Sequence, residues 1–392
     1  MLIDRRFAER IKKINPSSTL AITWKVKKLK AEGKDVVNFA AGECDFDTPD
    51  FIKEAAIQAI KAGFTKYTPT TGTPELKKLI CEKFKKENCL DYEPEQIVVS
   101  CGAKHSIFNA LLVLVDKDNE VLIPSPYWVS YPEMVKLCEG KPRFIKTSPE
   151  NSFKITPRDL KKNINEKTKM LILNSPSNPS GAVYSREELK GLARICVENK
   201  VFVISDEIYE KIIFDGLKHV SIASLGKDIY DLTITINGLS KAFSMTGWRI
   251  GYLGGPTDIV QAISRLQDHS TSNPVSISQK AAVAALETET DFSIKACQEF
   301  QKRRDYFVSR IKEFKNLDYV LPGGAFYIFC GISKTGLDAF TLASRLLDEE
   351  FVAIIPGNSF GRDDYVRISF ATSLPQIEIG LDRIKHWLEK QS

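Results

Sequence analysis

Short runs of apolar residues alternate along the middle of the chain with longer stretches in which apolar residues recur at helical spacing. Each run is apolar over successive positions, which is typical of parallel strands buried on both faces of a sheet. Between two runs, residues 185–199 are predicted to form an amphipathic helix that starts with a capping box of Ser185 and Glu188. The predicted strands are residues 97–99, 120–123, 170–173, 201–204 and 232–236.

The pattern changes after about residue 275 to that of a smaller α+β unit. The sequence predicts one long helix over residues 278–314, dense in charge in its second half. Two short strands follow at 325–329 and 366–369, and a final helix covers 375–390.

The first 45 residues hold one predicted helix and a short strand at 36–39, which is too little for a separate domain. We expect this segment to pack on the C-terminal unit. The fold class is therefore predicted as α/β, with a large domain whose mostly parallel sheet lies between helices and a smaller α+β domain. The predicted division is 1–46 for the N-terminal segment, 47–285 for the large domain and 286–392 for the small C-terminal domain.

Composition and charge narrow the class of protein. Among 392 residues, 55 are Lys or Arg and 50 are Asp or Glu, and the small net charge of +5 argues against nucleic acid as a partner. No apolar run reaches the ~18 residues of a membrane-spanning helix, and the N-terminus lacks the apolar stretch of a secretory signal. The chain has eight cysteines, none of them in a C-x-x-C pair, and four histidines. Their spacing does not match that of a metal site. We therefore expect no metal, free thiols and a cytoplasmic location.

Three of the predicted strands end in segments that suit ligand binding, because ligands bind at the carboxyl ends of strands in open α/β sheets. The first strand leads into residues 100–104, where small residues before a helix leave backbone N–H groups for a phosphate. The second leads into an aromatic segment that contains Trp128, and the third into the polar loop 174–181. Taken singly, these segments are equally a tight turn, a core aromatic and an ordinary loop.

The last two predicted strands end in charged side chains. Asp206 follows one, and a carboxylate that emerges from a buried strand needs a cationic partner unless it caps a helix. Lys241 and Arg249 follow the other; burial there lowers the pKa of a lysine and makes it nucleophilic, although most lysines lie on the surface. A phosphate site, a flat aromatic, an amide, a carboxylate and an amine together fit one ligand, a phosphorylated pyridine aldehyde held as a Schiff base.

The motifs around these residues resemble those of the fold-type-I, pyridoxal-phosphate-dependent class I and II aminotransferases, over essentially the whole chain. Residues 238–251, G-L-S-K-A-F-S-M-T-G-W-R-I-G, are similar to the cofactor-attachment motif of that family. Residues 205–209 and 174–181 are similar to two further family motifs. Additional segments resemble motifs of bacterial aspartate aminotransferases, at 41–49, 67–76 and 125–134.

The resemblance implies that the large domain binds pyridoxal 5′-phosphate. Lys241 would hold the cofactor covalently and shuttle the proton of the substrate α-carbon, and Asp206 would keep the pyridine nitrogen protonated. Asn178 and Tyr209 would hydrogen-bond the phenolate oxygen of the ring. The other implied contacts are Trp128 on the ring face and, at the phosphate, Gly102, Ala103, Lys104, Ser240, Arg249 and, from the second subunit of a homodimer, Tyr67. Some relatives carry a phosphate-binding Ser where this chain has Gly238, so that contact falls to Ser240 or is absent.

The resemblance also implies a site for amino acids and 2-oxo acids. Arg367 would bind the substrate α-carboxylate beside the backbone of Gly42, with Trp128 and Asn178 also lining the substrate site. Lys104 would pair with a distal carboxylate under a closing segment at 15–19. We therefore predict an aspartate aminotransferase that passes the amino group of L-aspartate to 2-oxoglutarate by a ping-pong cycle, with activity toward prephenate or aromatic substrates left open.

Three alternatives remain at this stage. A lyase or decarboxylase on the same scaffold would release ammonia or carbon dioxide without an acceptor. A transcriptional regulator with an aminotransferase-like domain needs an N-terminal DNA-binding module, for which about 45 residues leave no room. An α/β-hydrolase needs a G-x-S-x-G elbow, and the segment 238–242 lacks the final Gly.

Overall fold

The computed structural model describes residues 6–16 and 18–391. Within the predicted closing segment 15–19, Ser17 and the side chains of Ser18 and Thr19 lie outside this description. The helices are α1 (Glu9–Lys12), α2 (Ser18–Ala31), α3 (Asp50–Lys61), α4 (Pro74–Asn88), α5 (Ala103–Leu114), α6 (Ser130–Leu137), α7 (Pro157–Asn163), α8 (Arg186–Glu198), α9 (Lys227–Tyr230), α10 (Thr257–Asp268), α11 (Ser276–Glu287), α12 (Phe292–Ile311), α13 (Ala339–Glu350) and α14 (Leu374–Gln391). The strands are β1 (Val37–Asn38), β2 (Ile97–Ser100), β3 (Glu120–Ser125), β4 (Lys141–Lys146), β5 (Thr168–Asn174), β6 (Phe202–Asp206), β7 (Thr233–Gly238), β8 (Gly251–Gly254), β9 (Asp318–Tyr319), β10 (Tyr327–Gly331), β11 (Val352–Ala353), β12 (Ile355–Pro356) and β13 (Tyr365–Ser369).

The largest sheet has the strand order β2-β8-β7-β6-β5-β3-β4. Its neighbouring strands are parallel except around β8, which runs antiparallel to β2 and β7. All five strands predicted in this region belong to it, and the α/β class with a mostly parallel sheet is confirmed. The sequence did not predict β4 or β8. Strand β4 lies at the sheet edge, where exposed basic side chains interrupt its apolar residues, and β8 is short with a glycine at each end.

Helices cover both faces of this sheet, which explains why its central strands are apolar at successive positions. Ile172 and Ile204 point to one face and join a core layer with residues of α5 and α10. Leu171 and Val203 point to the other face and join a layer with residues of α7 and α8. The sheet is thus buried on both sides, and its strand ends are the part left open for binding.

The sequence predicted one helix start correctly and one helix continuation wrongly. At α8, the Ser185 hydroxyl accepts a 3.3 Å hydrogen bond from the Glu188 N–H, and the Glu188 carboxylate accepts a 2.8 Å bond from the Ser185 N–H, as the capping box predicts. The helix predicted over 278–314 is instead two helices, α11 and α12. The break contains two threonines, and the hydroxyl of Thr290 accepts a hydrogen bond from the N–H of Phe292, competing with helical pairing.

A second sheet with the order β12-β13-β10-β9 is antiparallel and belongs to the C-terminal part of the chain. The N-terminal strand β1 pairs in parallel with β11, which joins the start of the chain to this part. The N-terminal segment also reaches α6, a helix that packs against the large sheet, because the backbone N–H of Asn15 donates a 2.9 Å hydrogen bond to Glu133. The domain boundaries at 46 and 285 remain a prediction. Among the described helices, none has the length and apolar character to cross a bilayer.

Candidate active site

A cavity of about 420 Å³ opens at the carboxyl ends of β5, β6 and β7, between the large sheet and the second sheet. It brings together residues from nine separate segments of the described chain. The sequence-predicted site residues that line it are Gly42, Ala103, Lys104, Trp128, Asn178, Asp206, Tyr209, Ser240, Lys241, Arg249 and Arg367.

Two predicted residues do not line the cavity. Gly102 lies directly before α5 and next to its lining residue Ala103. Tyr67 is 92 % exposed and lies outside the cavity of its own chain. Its predicted role was in the site of a second subunit, and that role stays a prediction.

Lys241 extends into the cavity just after β7. Its Nζ donates a hydrogen bond to the carbonyl of Gly42 and lies 5.8 Å from the ring centre of Tyr209 and 5.6 Å from that of Phe326. Burial lowers the pKa of this amine. A lysine with a lowered pKa is more often neutral near pH 7, so Lys241 suits attack on a carbonyl and proton transfer.

Asp206 ends β6, and its carboxylate is buried in the same cavity. Burial raises the pKa of this carboxyl to about 6, while hydrogen bonds from the Tyr131 hydroxyl and the Ile208 N–H oppose the rise. A buried carboxylate is stabilised best by a cation held beside it. The chemistry of this position therefore fits a protonated ring nitrogen.

The N-terminus of α5 forms the anion-binding end of the cavity. The first N–H groups of a helix lack acceptors within the helix, and they attract anions. The Arg249 guanidinium lies here, with Nη1 2.7 Å from the Thr246 carbonyl and Nη2 3.3 Å from the Cys101 carbonyl. Gly102 has a φ of +90°, and a Cβ at this position would lie 2.4 Å from Arg249 Nη2. Glycine thus allows the guanidinium to approach the helix terminus, and the donor set fits a phosphate.

Gly238 accounts for the departure from the family motif. A Cβ at this position would lie 3.1 Å from the Cα of Gly251 and 3.2 Å from the carbonyl oxygen of Ile250. The close approach of β7 and β8 therefore leaves little room for a serine side chain. Ser240 lines the cavity, and its contact with a phosphate stays a prediction.

Arg367, on β13, provides a buried guanidinium at the other end of the cavity. Its Nη2 donates a 2.8 Å hydrogen bond to the carbonyl of Ala40, and its Nη1 donates a 3.1 Å bond to Oδ1 of Asn178. Its buried Nε has no hydrogen-bond partner among the described residues. An unpaired donor on a buried guanidinium is costly, so this group fits a carboxylate ligand.

Lys104 and Trp128 form a third wall. The Lys104 Nζ lies 4.8 Å from the ring centre of Trp128, and burial together with Arg249 lowers the pKa of Lys104. The Trp128 ring in turn packs edge-on against Tyr131. This wall combines a cation with an aromatic face.

Several lining residues were not predicted from the sequence. Asn174 accepts a 2.8 Å hydrogen bond from the Asn178 N–H and donates one to the Asp206 carbonyl, so it fixes the polar loop against β6. Tyr131 and Tyr327 contact Asp206 and Tyr209, respectively. Tyr131 lies within the family-like segment 125–134, but Tyr327 lies in an apolar run that resembles ordinary core. The others are Thr23, Ala40, Glu43, Ile107, Ile208 and Thr246.

The fold and the cavity together define an enzyme of a known class. The family described as aminotransferase class I and II matches residues 34–384, and the chain belongs to this family. The predicted aminotransferase is thereby confirmed.

The chain is similar to particular members of the family. It is 47% identical over 396 residues to an aspartate aminotransferase of Bacillus subtilis, covering 99% of this chain and 100% of the relative. It is 44% identical to a probable aspartate/prephenate aminotransferase of Aquifex aeolicus, covering 98% of each chain. Among solved structures, the aspartate aminotransferase of Rhizobium meliloti superposes with a TM-score of 0.94 at 42% identity, covering 98% of each chain. That of Thermus thermophilus with maleate superposes with a TM-score of 0.93 at 40% identity, covering 97% of this chain and 99% of the other.

Proposed function

We propose that this protein is an aspartate aminotransferase that uses pyridoxal 5′-phosphate to transfer the amino group of L-aspartate to 2-oxoglutarate. The observation that carries the proposal is that one cavity holds the amine of Lys241, the acid of Asp206 and the guanidinium of Arg367. The names of the relatives in Bacillus subtilis and Rhizobium meliloti support the choice of substrate.

The residues of the cavity fit the cofactor at three points. The first turn of α5 and Arg249 would hold the phosphate, Asp206 would pair with the ring nitrogen, and Lys241 would attach to the aldehyde carbon. Tyr209 and Asn178 would donate hydrogen bonds to the ring oxygen, and Trp128 would cover a ring face. When bound, pyridoxal phosphate supplies a ring that accepts negative charge from the amino acid α-carbon.

Lys241 would act as the base and acid of the reaction. Its lowered pKa favours the neutral amine that can remove the proton from the substrate α-carbon. The Gly42 carbonyl that accepts a hydrogen bond from Nζ would orient the amine when it is not bonded to the cofactor. Arg367 would hold the α-carboxylate in a fixed position, so that the proton lies within reach of the amine.

Lys104 would select dicarboxylic substrates by pairing with the distal carboxylate. The second candidate is an aspartate/prephenate aminotransferase, the function for which the Aquifex aeolicus relative is named. The observation that favours it is the contact between Lys104 and Trp128, which places a cation beside an apolar wall of the cavity, where a ring-bearing carboxylate could lie.

We also propose a cytoplasmic homodimer. The fully exposed Tyr67 would reach the phosphate site of the second subunit. Exposed apolar side chains on α3 and before α11, Ile57, Ile60 and Val275, support a subunit interface, because these helices pack together. Eight free cysteines support a reducing compartment.

The experiment that tests the function is an assay of the cofactor-loaded protein with L-aspartate and 2-oxoglutarate. We expect oxaloacetate and glutamate in equal amounts. When 2-oxoglutarate is omitted, we expect aspartate to give the product of a single turnover and no more. Continuous release of ammonia or carbon dioxide without an acceptor would instead identify a lyase. Replacing 2-oxoglutarate by prephenate tests the second candidate.

The role of Lys104 is tested by Lys104→Ala. We expect the KM for aspartate to rise by about 10-fold or more and the KM for phenylalanine to change by less than about threefold, because only aspartate has a distal carboxylate. Lys53→Ala is the matched control, since Lys53 is a partly exposed lysine outside the cavity, and should change neither. An equal rise for both substrates would remove the argument for dicarboxylate selection.

A further inference from the structure

Tyr327 joins the two ends of the cavity. It begins β10 in the second sheet, and its side chain is buried. Its hydroxyl lies 2.8 Å from the hydroxyl of Tyr209, and its ring centre lies 4.3 Å from Cζ of Arg367. A Cβ at Gly42 would lie 3.5 Å from the same hydroxyl. One side chain thus contacts residues of the cofactor end and of the carboxylate end.

Once a ligand is bound, it is determined which of the two hydroxyls, Tyr327 or Tyr209, donates the hydrogen bond between them. Burial raises the pKa of both phenols, so both are neutral, and each carries one hydrogen to donate. If Tyr209 donates its hydrogen into the cavity, the hydrogen between the two hydroxyls must come from Tyr327. Hydrogen bonds in such a chain polarise one another, so Tyr327 makes Tyr209 a stronger donor.

The contact with Arg367 fixes the plane of the guanidinium. The Arg367 Cζ lies over the Tyr327 ring, 4.3 Å from the ring centre, and over the Phe360 ring, 5.2 Å from the ring centre. The Ala40 carbonyl and Asn178 accept two of its hydrogen bonds in that orientation. Aromatic faces hold guanidinium groups by cation–π attraction without using their N–H donors. The remaining donors therefore stay available for a carboxylate.

We propose that Tyr327 is a positioning residue that strengthens the hydrogen bond from Tyr209 to the cofactor ring and holds Arg367 in plane for the substrate carboxylate. This inference rests on the proposed function. The two roles reside in different parts of the side chain, the hydroxyl and the ring, and they can be separated by substitution.

The hydroxyl is tested with Tyr327→Phe in the protein loaded with pyridoxal phosphate. A donor to the ring oxygen stabilises the deprotonated form of the bound chromophore, so weakening that donor raises the pH at which the visible absorbance changes. We expect a rise of about 0.3 to 1 pH unit. The matched control is Tyr252→Phe, since the buried Tyr252 hydroxyl has no hydrogen-bond partner in the described chain and lines no part of this cavity. Its titration should coincide with that of the wild type.

The ring is tested by the binding of maleate, a dicarboxylate, to the loaded protein. We expect Tyr327→Phe to bind maleate within about twofold of the wild type, and Tyr327→Leu to bind about 2- to 30-fold more weakly. Thermal unfolding of each variant reports whether it is folded, and Tyr327→Phe preserves the core volume.

The results separate the inference from the proposed function. If the loaded wild type shows a pH-dependent visible band and Tyr327→Phe titrates identically, the positioning role is wrong and the function stands. The same holds if Tyr327→Leu is folded and binds maleate as the wild type does. A wild type without any such band after loading overturns both.

Discussion

The hydroxyl of Tyr131 donates a 2.5 Å hydrogen bond to Oδ2 of Asp206, inside the cavity and away from bulk water. Burial raises the pKa of the Asp206 carboxyl, this hydrogen bond opposes the rise, and the resulting pKa is about 6. Tyr131 thus helps to keep Asp206 ionised near neutral pH, which is the state that a protonated ring nitrogen requires. Without cofactor, the buried charge has no such partner.

The first prediction concerns the pH dependence of the free energy of unfolding without cofactor. Asp206 has a pKa of about 6 when folded and an ordinary value of 3.8, so the folded state binds its proton more tightly. Asp206 therefore makes its full contribution to the free energy of unfolding below its ordinary pKa of 3.8, and this contribution is lost as the pH rises through about 6. Between about pH 4 and pH 7, we expect the wild type to lose up to about 3 kcal/mol relative to Asp206→Asn.

Urea unfolding of both cofactor-free proteins across this pH range measures the difference. The Asn variant keeps the side-chain size and cannot titrate. The pH dependence that the other titratable groups contribute is therefore the same in both proteins and cancels in the comparison. If the free energies of unfolding of the two proteins changed in parallel with pH, the pKa of Asp206 would not be raised in the folded state. Loading the wild type with cofactor should remove most of the loss.

The second prediction concerns Gly102. Substitution by Ala places a Cβ 2.4 Å from Arg249 Nη2 and forces the guanidinium to move. We expect the affinity for pyridoxal phosphate to fall by about 10- to 100-fold, because a charge-assisted hydrogen bond is lost. Gly33→Ala is the matched control, since Gly33 also has a positive φ, +80°, but nothing lies within 4 Å of its Cβ position. Equal affinities of the two variants in a fluorescence titration would refute the phosphate role of Arg249.

The third prediction concerns a buried ion pair behind the site. Lys83 Nζ contacts Glu210, and the two side chains are only 8 and 6% exposed. Although burial alone would raise the pKa of Glu210, Lys83 and its neighbours lower that pKa to about 2. We expect Lys83→Met to lower the free energy of unfolding by about 3–5 kcal/mol at pH 7, because Glu210 would remain buried without the cation that contacts it most closely.

The pair of Lys280 and Glu75, whose side chains are 36 and 50% exposed, provides the control, and Lys280→Met should cost no more than about 1 kcal/mol. The contribution of Glu210 is present above its ordinary pKa of 4.5 and is lost as the pH falls toward about 2. The difference between Lys83→Met and the wild type should therefore shrink on acidification. A difference that is small at neutral pH would contradict the importance of the pair.

Much of the site could be predicted from sequence because its residues follow strands. Asp206 and Lys241 each come within a few residues of the end of an apolar run, and a parallel sheet brings such ends to one edge. Tyr327 could not be found this way, because it lies inside a run of apolar residues on another sheet and only the packing of the two sheets brings it to Tyr209. Strand β4 was not predicted because it lies at an exposed edge of the sheet, where polar side chains interrupt the apolar pattern that marks the buried strands.

The central claim is that the amine of Lys241 bonds covalently to the cofactor. Borohydride reduction of the loaded protein makes such a bond permanent, and peptide mass spectrometry then locates it. The account predicts one modified peptide, with the mass of reduced pyridoxal phosphate on Lys241, and no modification of that peptide in Lys241→Ala. A label on a different lysine of the wild type, or no label on a protein that has bound the cofactor, would contradict it.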